Sequence, residues 1–300
     1  MSAQETLITK DETPDLQRSF VEPRAVFNAV LSGAAWVAAI IASIPLISVL
    51  YGLIVRGGHR LSLEVFTELP PAGFEEGGGF GNAIVGTLVT VGIGALISIP
   101  FGILAAIFLA ELEPDGKVAN IARFCAKTLT GLPSILAGVF AYAVVVLATG
   151  TYSAPAAGVA LALLMLPTVV LTAEESMRMV PSNMKNAAYG LGCTRSQVIW
   201  KIVLPTALPG VLTGVMLSIA RAAGETAPLL FTALFSNYWF VEGGRADLMT
   251  PIASLSVLIY NFSGMPYDNQ IELAWTASLV LVLLVLLFNI LARVLGRKKV

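Results

Sequence analysis

The stretch SIARAAGETAPLLFTALF (218–235) sets Arg221 and Glu225 four residues apart in otherwise apolar sequence. Four residues along a helix bring two side chains to neighbouring positions on one face, where opposite charges neutralise each other. In a membrane a charge costs about 2.5–3.5 kcal/mol on insertion scales, and such residues face a polar pathway or each other. The chemistry on offer is anion recognition. A guanidinium presents paired donors that match an oxyanion bidentately. A neighbouring carboxylate keeps the arginine oriented and the site weak enough to release its anion. Thr226 adjoins the pair, with Ser218 and Thr213 as further hydroxyl donors. The plainer alternative is a structural ion pair at the outer end of a span.

Other residue types offer less. The Gly-rich stretch EEGGGFG (75–81) lacks the Gly-Lys-Ser/Thr ending that cradles nucleotide phosphates. It reads as a flexible approach to a span. His59 has no second metal ligand near it in sequence, and no nucleophile stands beside a base. Catalytic residues and metal ligands are therefore expected to be absent, and the charge pattern calls for no nucleic-acid partner.

The elements that must position the pair follow from composition. Of 300 residues, 56% are hydrophobic and 12% charged, with a mean hydropathy of +0.82. A soluble domain carries about 25% charged residues, so the chain is an all-α integral membrane protein set in a lipid bilayer. Residues 1–28 form a polar tail. The uncharged run Ala29–Val55 is long enough to span and lacks a signal-cleavage pattern, so it is retained as an anchor. Further uncharged runs are Gly77–Ala110 and Thr128–Ala173, the latter long enough for two spans with a turn at TGTYSAP (149–155). Ile202–Ala220 and Leu273–Ala292 complete six transmembrane helices. Gly210 and Gly214 mark a small-residue helix contact. Pro45, Pro133 and Pro167 kink spans or mark their ends. The segment 249–267 is apolar but broken by Pro251, Gly264 and Pro266, and reads as interfacial or re-entrant.

Lysine and arginine fix the orientation, because cytoplasmic loops are enriched in them. With both termini inside, the inner segments hold Lys10, Arg18, Arg24, Lys117, Arg123, Lys127, Arg178, Lys185, Arg195, Lys201, Arg293, Arg297, Lys298 and Lys299, fourteen of the 18. The outer loop 56–82 holds Arg56 and Arg60, and a second outer loop holds Arg245. Cys125 and Cys193 fall on the reducing side as free thiols.

The inner loop 174–205 is far longer than a connection between spans requires. Pro181 and Ser182 start a short helix that stops near Gly190 and Gly192. Thr194 and Gln197 form a T-x-x-Q capping box that starts a second helix toward Pro205. This pattern resembles the EAA loop of the membrane subunits of ABC importers, E-A-A-x3-G-x9-I-x-L-P. Asn186, Ala187, Ala188, Gly192, Ile202, Leu204 and Pro205 fall on it, with Asn186 where the acidic residue usually stands. GLPSILAGVFAY (131–142), LPTVVLTAEESMRMVP (166–181), IARAAGETAPLLFTALF (219–235) and LAWTASLVLVLLVLLFNILAR (273–293) are similar to phosphate-importer permeases within that group.

The resemblance implies a type I importer (MetI-like) permease of the bacterial inner membrane. Its permease core, 83–293, holds five spans and is followed by the basic tail 294–300. It implies a second permease, an ABC ATPase dimer that carries ATP and magnesium and docks on the inner loop, and a periplasmic phosphate-binding protein outside. No cofactor is then bound by this chain, and inorganic phosphate is the cargo. In the docking loop, Glu174 or Glu175 supplies the charge that Asn186 lacks. From the residues themselves other readings stay open: a permease for another oxyanion such as molybdate or sulfate, an ion-coupled secondary transporter, or a membrane-embedded enzyme. The two halves show no inverted repeat of the kind secondary transporters often carry, and the spans lack paired catalytic residues.

Overall fold

A backbone in lipid must satisfy its own hydrogen bonds, so long uncharged runs become helices. The computed structural model describes residues 23–242 and 245–296. Most of the expected N-terminal tail, with Lys10 and Arg18, lies outside the described residues, as do Arg297, Lys298 and Lys299. The chain divides into two compact units, Met1–Gly52 and Leu53–Val300.

Helix α1, Pro23–Gly58, contains the expected first span. Its part in the first unit is apolar on every side, with Trp36, Ile40, Ile44 and Ile47 exposed, the pattern of a helix surrounded by lipid.

The second unit holds the other helices. Helix α2, Gly81–Ile107, runs on through a π-helical turn, Phe108–Leu112. Then come α3, Lys117–Thr130, and α4, Ser134–Ala141, which passes through a π turn into α5, Leu147–Thr149. Helix α6, Ala154–Arg178, starts where the Ser153 side chain accepts a hydrogen bond from Ala156 N–H. Helices α7, Ser182–Gly190, and α8, Arg195–Val198, form an elbow. Helix α8 continues through a π turn, Ile199–Val203, into α9, Leu204–Gly224. Beyond it lie α10, Ala227–Thr232, a two-residue hairpin (β1, Val241–Glu242; β2, Arg245–Ala246), α11, Leu255–Ser263, and α12, Asp268–Gly296.

Small residues let the long helices approach. Gly94 faces Leu161 and Gly102 faces Val169, so α2 and α6 run parallel with their backbones close. Gly210 faces Ser176 and Gly214 faces Thr172, so α9 runs antiparallel to α6. A Cβ at any of these glycines would push the helices apart, which is the role expected of the Gly210/Gly214 pair.

Among the described residues, five helices are long and apolar enough to cross a membrane, with a bent pair that makes up to six if it counts as one span. The bend falls at Pro133, one of the prolines expected to kink a span or mark its end, although the helical pair starts ahead of the uncharged run from Thr128. Helix α3 begins at Lys117, and the chain turns by 105° before continuing from Ser134 to Thr149. Pro133 has no N–H to continue α3 and disfavours helical backbone at the residue before it. Helix α3 is amphipathic: Ala119 and Ala126 are buried while Val118, Ile121 and Phe124 are exposed.

In 75–81, Gly78, Gly79 and Gly81 are closely packed, while Gly77 is open: a Cβ at Gly79 would lie 2.7 Å from the Val65 carbonyl oxygen, and Phe80 N–H donates to that oxygen at 2.8 Å. The segment 249–267 contributes only the nine-residue α11, too short to span. It folds back against α2, with Ile252, Ala253 and Leu255 buried and the Leu255 N–H donating to Thr87 Oγ1 at 2.9 Å.

Candidate functional site

Arg221 stands in the last turn of α9, which ends at Gly224. Glu225 is one residue beyond, in extended backbone (φ −74°, ψ 127°). The two do not share a helix face as their spacing suggests. Even so, Arg221 Nε reaches Glu225 Oε1 at 3.3 Å because the side chains turn toward each other. The pair closes the apolar helix Arg195–Gly224, but that end does not coincide with an end of α6. Seven residues along α9 from the Gly214–Thr172 contact, the antiparallel register brings Arg221 level with Met165, midway along α6. The burial of Ala222 and Ala223 in one cluster with Leu161 and Met165 agrees.

The pair is asymmetric. The Glu225 side chain is 15% exposed and that of Arg221 43%. Ser256 Oγ donates to the Glu225 carbonyl at 2.8 Å, and Thr226 Oγ1 makes only a long contact, 3.5 Å, to the Ser256 carbonyl. Of the weaker hydroxyl candidates, Ser218 is buried and donates to the Val215 carbonyl at 2.7 Å, which removes it from any open path. Thr213 is exposed but donates to Pro209 O at 2.9 Å. Most exposed positions of α9 recur every four residues, Pro205, Pro209, Thr213, Leu217 and Arg221, with Leu208 and Gly224 exposed besides. The recurring positions form one stripe that runs from the elbow to the charged pair.

The elbow follows its sequence signals closely. The Thr194/Gln197 capping box is complete, with side chain and backbone satisfied in both directions. Gly192 has φ +82°, a left-handed conformation in which a side chain is strained. Asn186 and Ala187 face outward, whereas Ala188 is buried with Val198, Ile199 and Val203. Ile202 and Leu204 are half-buried and Pro205 is exposed. The π turn lies just before Pro205, whose missing N–H leaves a carbonyl of the preceding turn without its usual partner. Met179, Met184, Tyr189 and Leu191 are exposed around the bend.

Ionic contacts that sequence reading missed hold the elbow in place. Glu174 is not free for a partner: Arg123 Nε lies 2.6 Å and Arg178 Nη2 3.0 Å from its Oε1, and it is buried. Glu175 is exposed. Lys185 Nζ pairs with Glu111 Oε1 at 2.5 Å. A signal for these was present, since Glu111 and Glu174 are the first charges after long uncharged runs.

Residues 98–300 match the family of binding-protein-dependent transport system inner membrane components. The chain belongs to this family. Two of its relatives are the phosphate transport system permease proteins PstA of Yersinia pestis and Haemophilus influenzae. The first is 41% identical over 254 residues, covering 85% of this chain and 84% of the relative. The second is 39% identical over 278 residues, covering 92% and 96%. The fold of this inner-membrane component is shared with a chain of a bacterial alginate ABC transporter crystallised with its pentasaccharide-bound periplasmic protein. That match has a TM-score of 0.60 at 16% identity and covers 91% of this chain and 96% of the other.

Proposed function

We propose that this inner-membrane component is one of two permease subunits of an ATP-driven importer of inorganic phosphate. The observation that carries the reading is Arg221: a cationic side chain, 43% exposed, on the open face of α9, level with the middle of α6. Facing lipid there would cost about 2.5–3.5 kcal/mol. A second permease over the α9 stripe removes that cost and encloses a polar passage between the two chains. Arg221 then meets the anion with paired donors, while Glu225 holds it and competes for it, so that the anion is released; Thr226 adds a hydroxyl beside them. The phosphate transport names of the relatives supply the choice of oxyanion.

An ABC ATPase dimer, which carries ATP and magnesium, docks on the elbow around Asn186, Ala187, Ala188 and Gly192. The frame of Ile202, Leu204 and Pro205 passes its motion into α9. A periplasmic phosphate-binding protein delivers the anion from outside, both termini are cytoplasmic, and this chain binds no cofactor. The test is Arg221→Gln and Arg221→Lys in the assembled complex. Phosphate uptake falls strongly in Gln and partly in Lys, which keeps charge but not the planar fork, with all subunits still co-purifying. Normal uptake in Arg221→Gln refutes the passage, and loss of assembly assigns the pair a structural role.

A further inference from the structure

We propose that α2 is a second, non-covalent arm carrying movement of the elbow to the Arg221–Glu225 pair. Glu111, Lys185 and Arg195 form its inner clamp, and Thr87 and Ser256 its outer link. The inference rests on the elbow being the ATPase dock.

The inner clamp follows from how α2 ends. The last carbonyls of a helix have no intrahelical partner and carry the negative end of its dipole. The π turn Phe108–Leu112 is followed directly by non-helical Glu113, and distant cations cap it. Arg123 Nη2 donates to Leu109 O at 2.8 Å. Arg195 Nη2 donates to the Glu111 carbonyl and, at 2.5 Å, to the Leu112 carbonyl. Lys185 pairs with the Glu111 carboxylate, the two side chains 20% and 9% exposed. Lys185 belongs to α7 and Arg195 opens α8, so both sides of the bend at Gly192 grip the end of α2.

The outer link lies at the other end of the same helix. The continuous helix Gly81–Leu112 has 32 residues, about 48 Å at 1.5 Å per residue. Near its start Thr87 Oγ1 accepts the Leu255 N–H at 2.9 Å, and a Cβ at Gly86 would strike the Ala253 carbonyl. The next residue, Ser256, donates to the Glu225 carbonyl at 2.8 Å. The elbow thus reaches Arg221 through the covalent run of α9 and the Glu225 backbone through α2. Displacement of one arm against the other alters the 3.3 Å ion pair, which changes how free Arg221 is to meet an anion.

Contiguity alone does not establish coupling, so the test measures it. The whole complex is reconstituted in lipid vesicles, and inorganic phosphate uptake and ATP hydrolysis are read on one preparation. In Glu111→Gln, Lys185→Met and Ser256→Ala the ATPase stays bound, and phosphate moved per ATP falls about fivefold or more, the low end of coupling between sites. Glu111→Gln combined with Ser256→Ala is no worse than either alone, because they interrupt one route. The charge-exchanged pair, Glu111→Lys with Lys185→Glu, recovers transport and supplies the test where a single variant does not accumulate. An unchanged ratio in the single variants, full additivity of Glu111→Gln with Ser256→Ala, no recovery on charge exchange, or release of the ATPase by a clamp variant overturns the proposal. Failure of the docking reading is separately visible as retention of the ATPase by Gly192→Val.

Discussion

Gly192 offers a clean perturbation, because its conformation can be separated from its surroundings. At φ +82° it occupies the left-handed region, and a Cβ built there meets nothing within 4 Å. Gly192→Ala therefore acts through backbone strain alone, about 1–2 kcal/mol. The strain is local, since the bend is closed by Gly192 N–H to Tyr189 O at 2.9 Å and Cys193 N–H to Ala188 O at 3.1 Å. It is relieved by rearranging the elbow rather than by unfolding the spans. If the ATPase requires the bent elbow, its apparent affinity falls by the loss of competent population, at most about 5- to 30-fold for that energy, the full factor applying where the bent form is no longer dominant. Asn tolerates left-handed backbone, so Gly192→Asn recovers much of the loss, and β-branched Gly192→Val is worse than Ala. The assay titrates the ATPase onto the purified permease pair in mild detergent, with thermal unfolding of the same samples as control. Equal affinity for the Gly, Ala and Val forms, or Asn as poor as Val, refutes the argument.

Arg123→Met destabilises the chain by roughly 3 kcal/mol, as expected when a buried charge loses its main partner. Arg178→Met costs far less, since its side chain is 47% exposed; thermal unfolding separates the two, and equal losses refute the assignment. If the ATPase docks on the elbow as proposed, apolar burial carries the contact. Leu191, 86% exposed, loses up to about 2 kcal/mol of ATPase affinity as Leu191→Ser with no change in the permease's own unfolding. Raising ionic strength from 0.15 M to 1 M, which shortens the screening length from about 8 to 3 Å, has a smaller effect. The reverse order, read by the same titration, shows an ionic dock.

The elbow was legible in sequence because its signals are local: the capping box at Thr194, the glycine bend and the proline that follows each act within a few residues. The spans were legible because lipid imposes a length on uncharged runs. The break at Pro133 was legible as a kink or an end, but its 105° turn was not, since hydropathy reports no angle and α3 begins ahead of the uncharged run. Arg178 lies four residues beyond Glu174 on α6 and was within reach of sequence reading, whereas Arg123 and Lys185, the partners of Glu174 and Glu111, were hidden because they arrive from other elements. The depth of Arg221 depends on the α6–α9 register, set by which glycine meets which side chain rather than by distance from the end of an apolar run. Arg221 and Glu225 were expected to share one face, and the end of the helix at Gly224 prevents it.

That helix end bears on the passage independently of the arginine. Helix α9 stops halfway along α6, leaving the carbonyls of its last turn without helical partners. Non-helical backbone at such depth is tolerated where protein buries it or where it lines a water-filled cavity. Protein covers part of it: Ser256 occupies the Glu225 carbonyl, and Ala222 and Ala223 are buried. Gly224 and Arg221 remain exposed on the other side. Arg221 suits this position, since a cation in the last turn is favoured by the helix dipole as well as by Glu225. An interrupted helix and an exposed cation thus fall on one face at one depth. Lipid satisfies neither of them, whereas a hydrated passage shared with a second permease satisfies both.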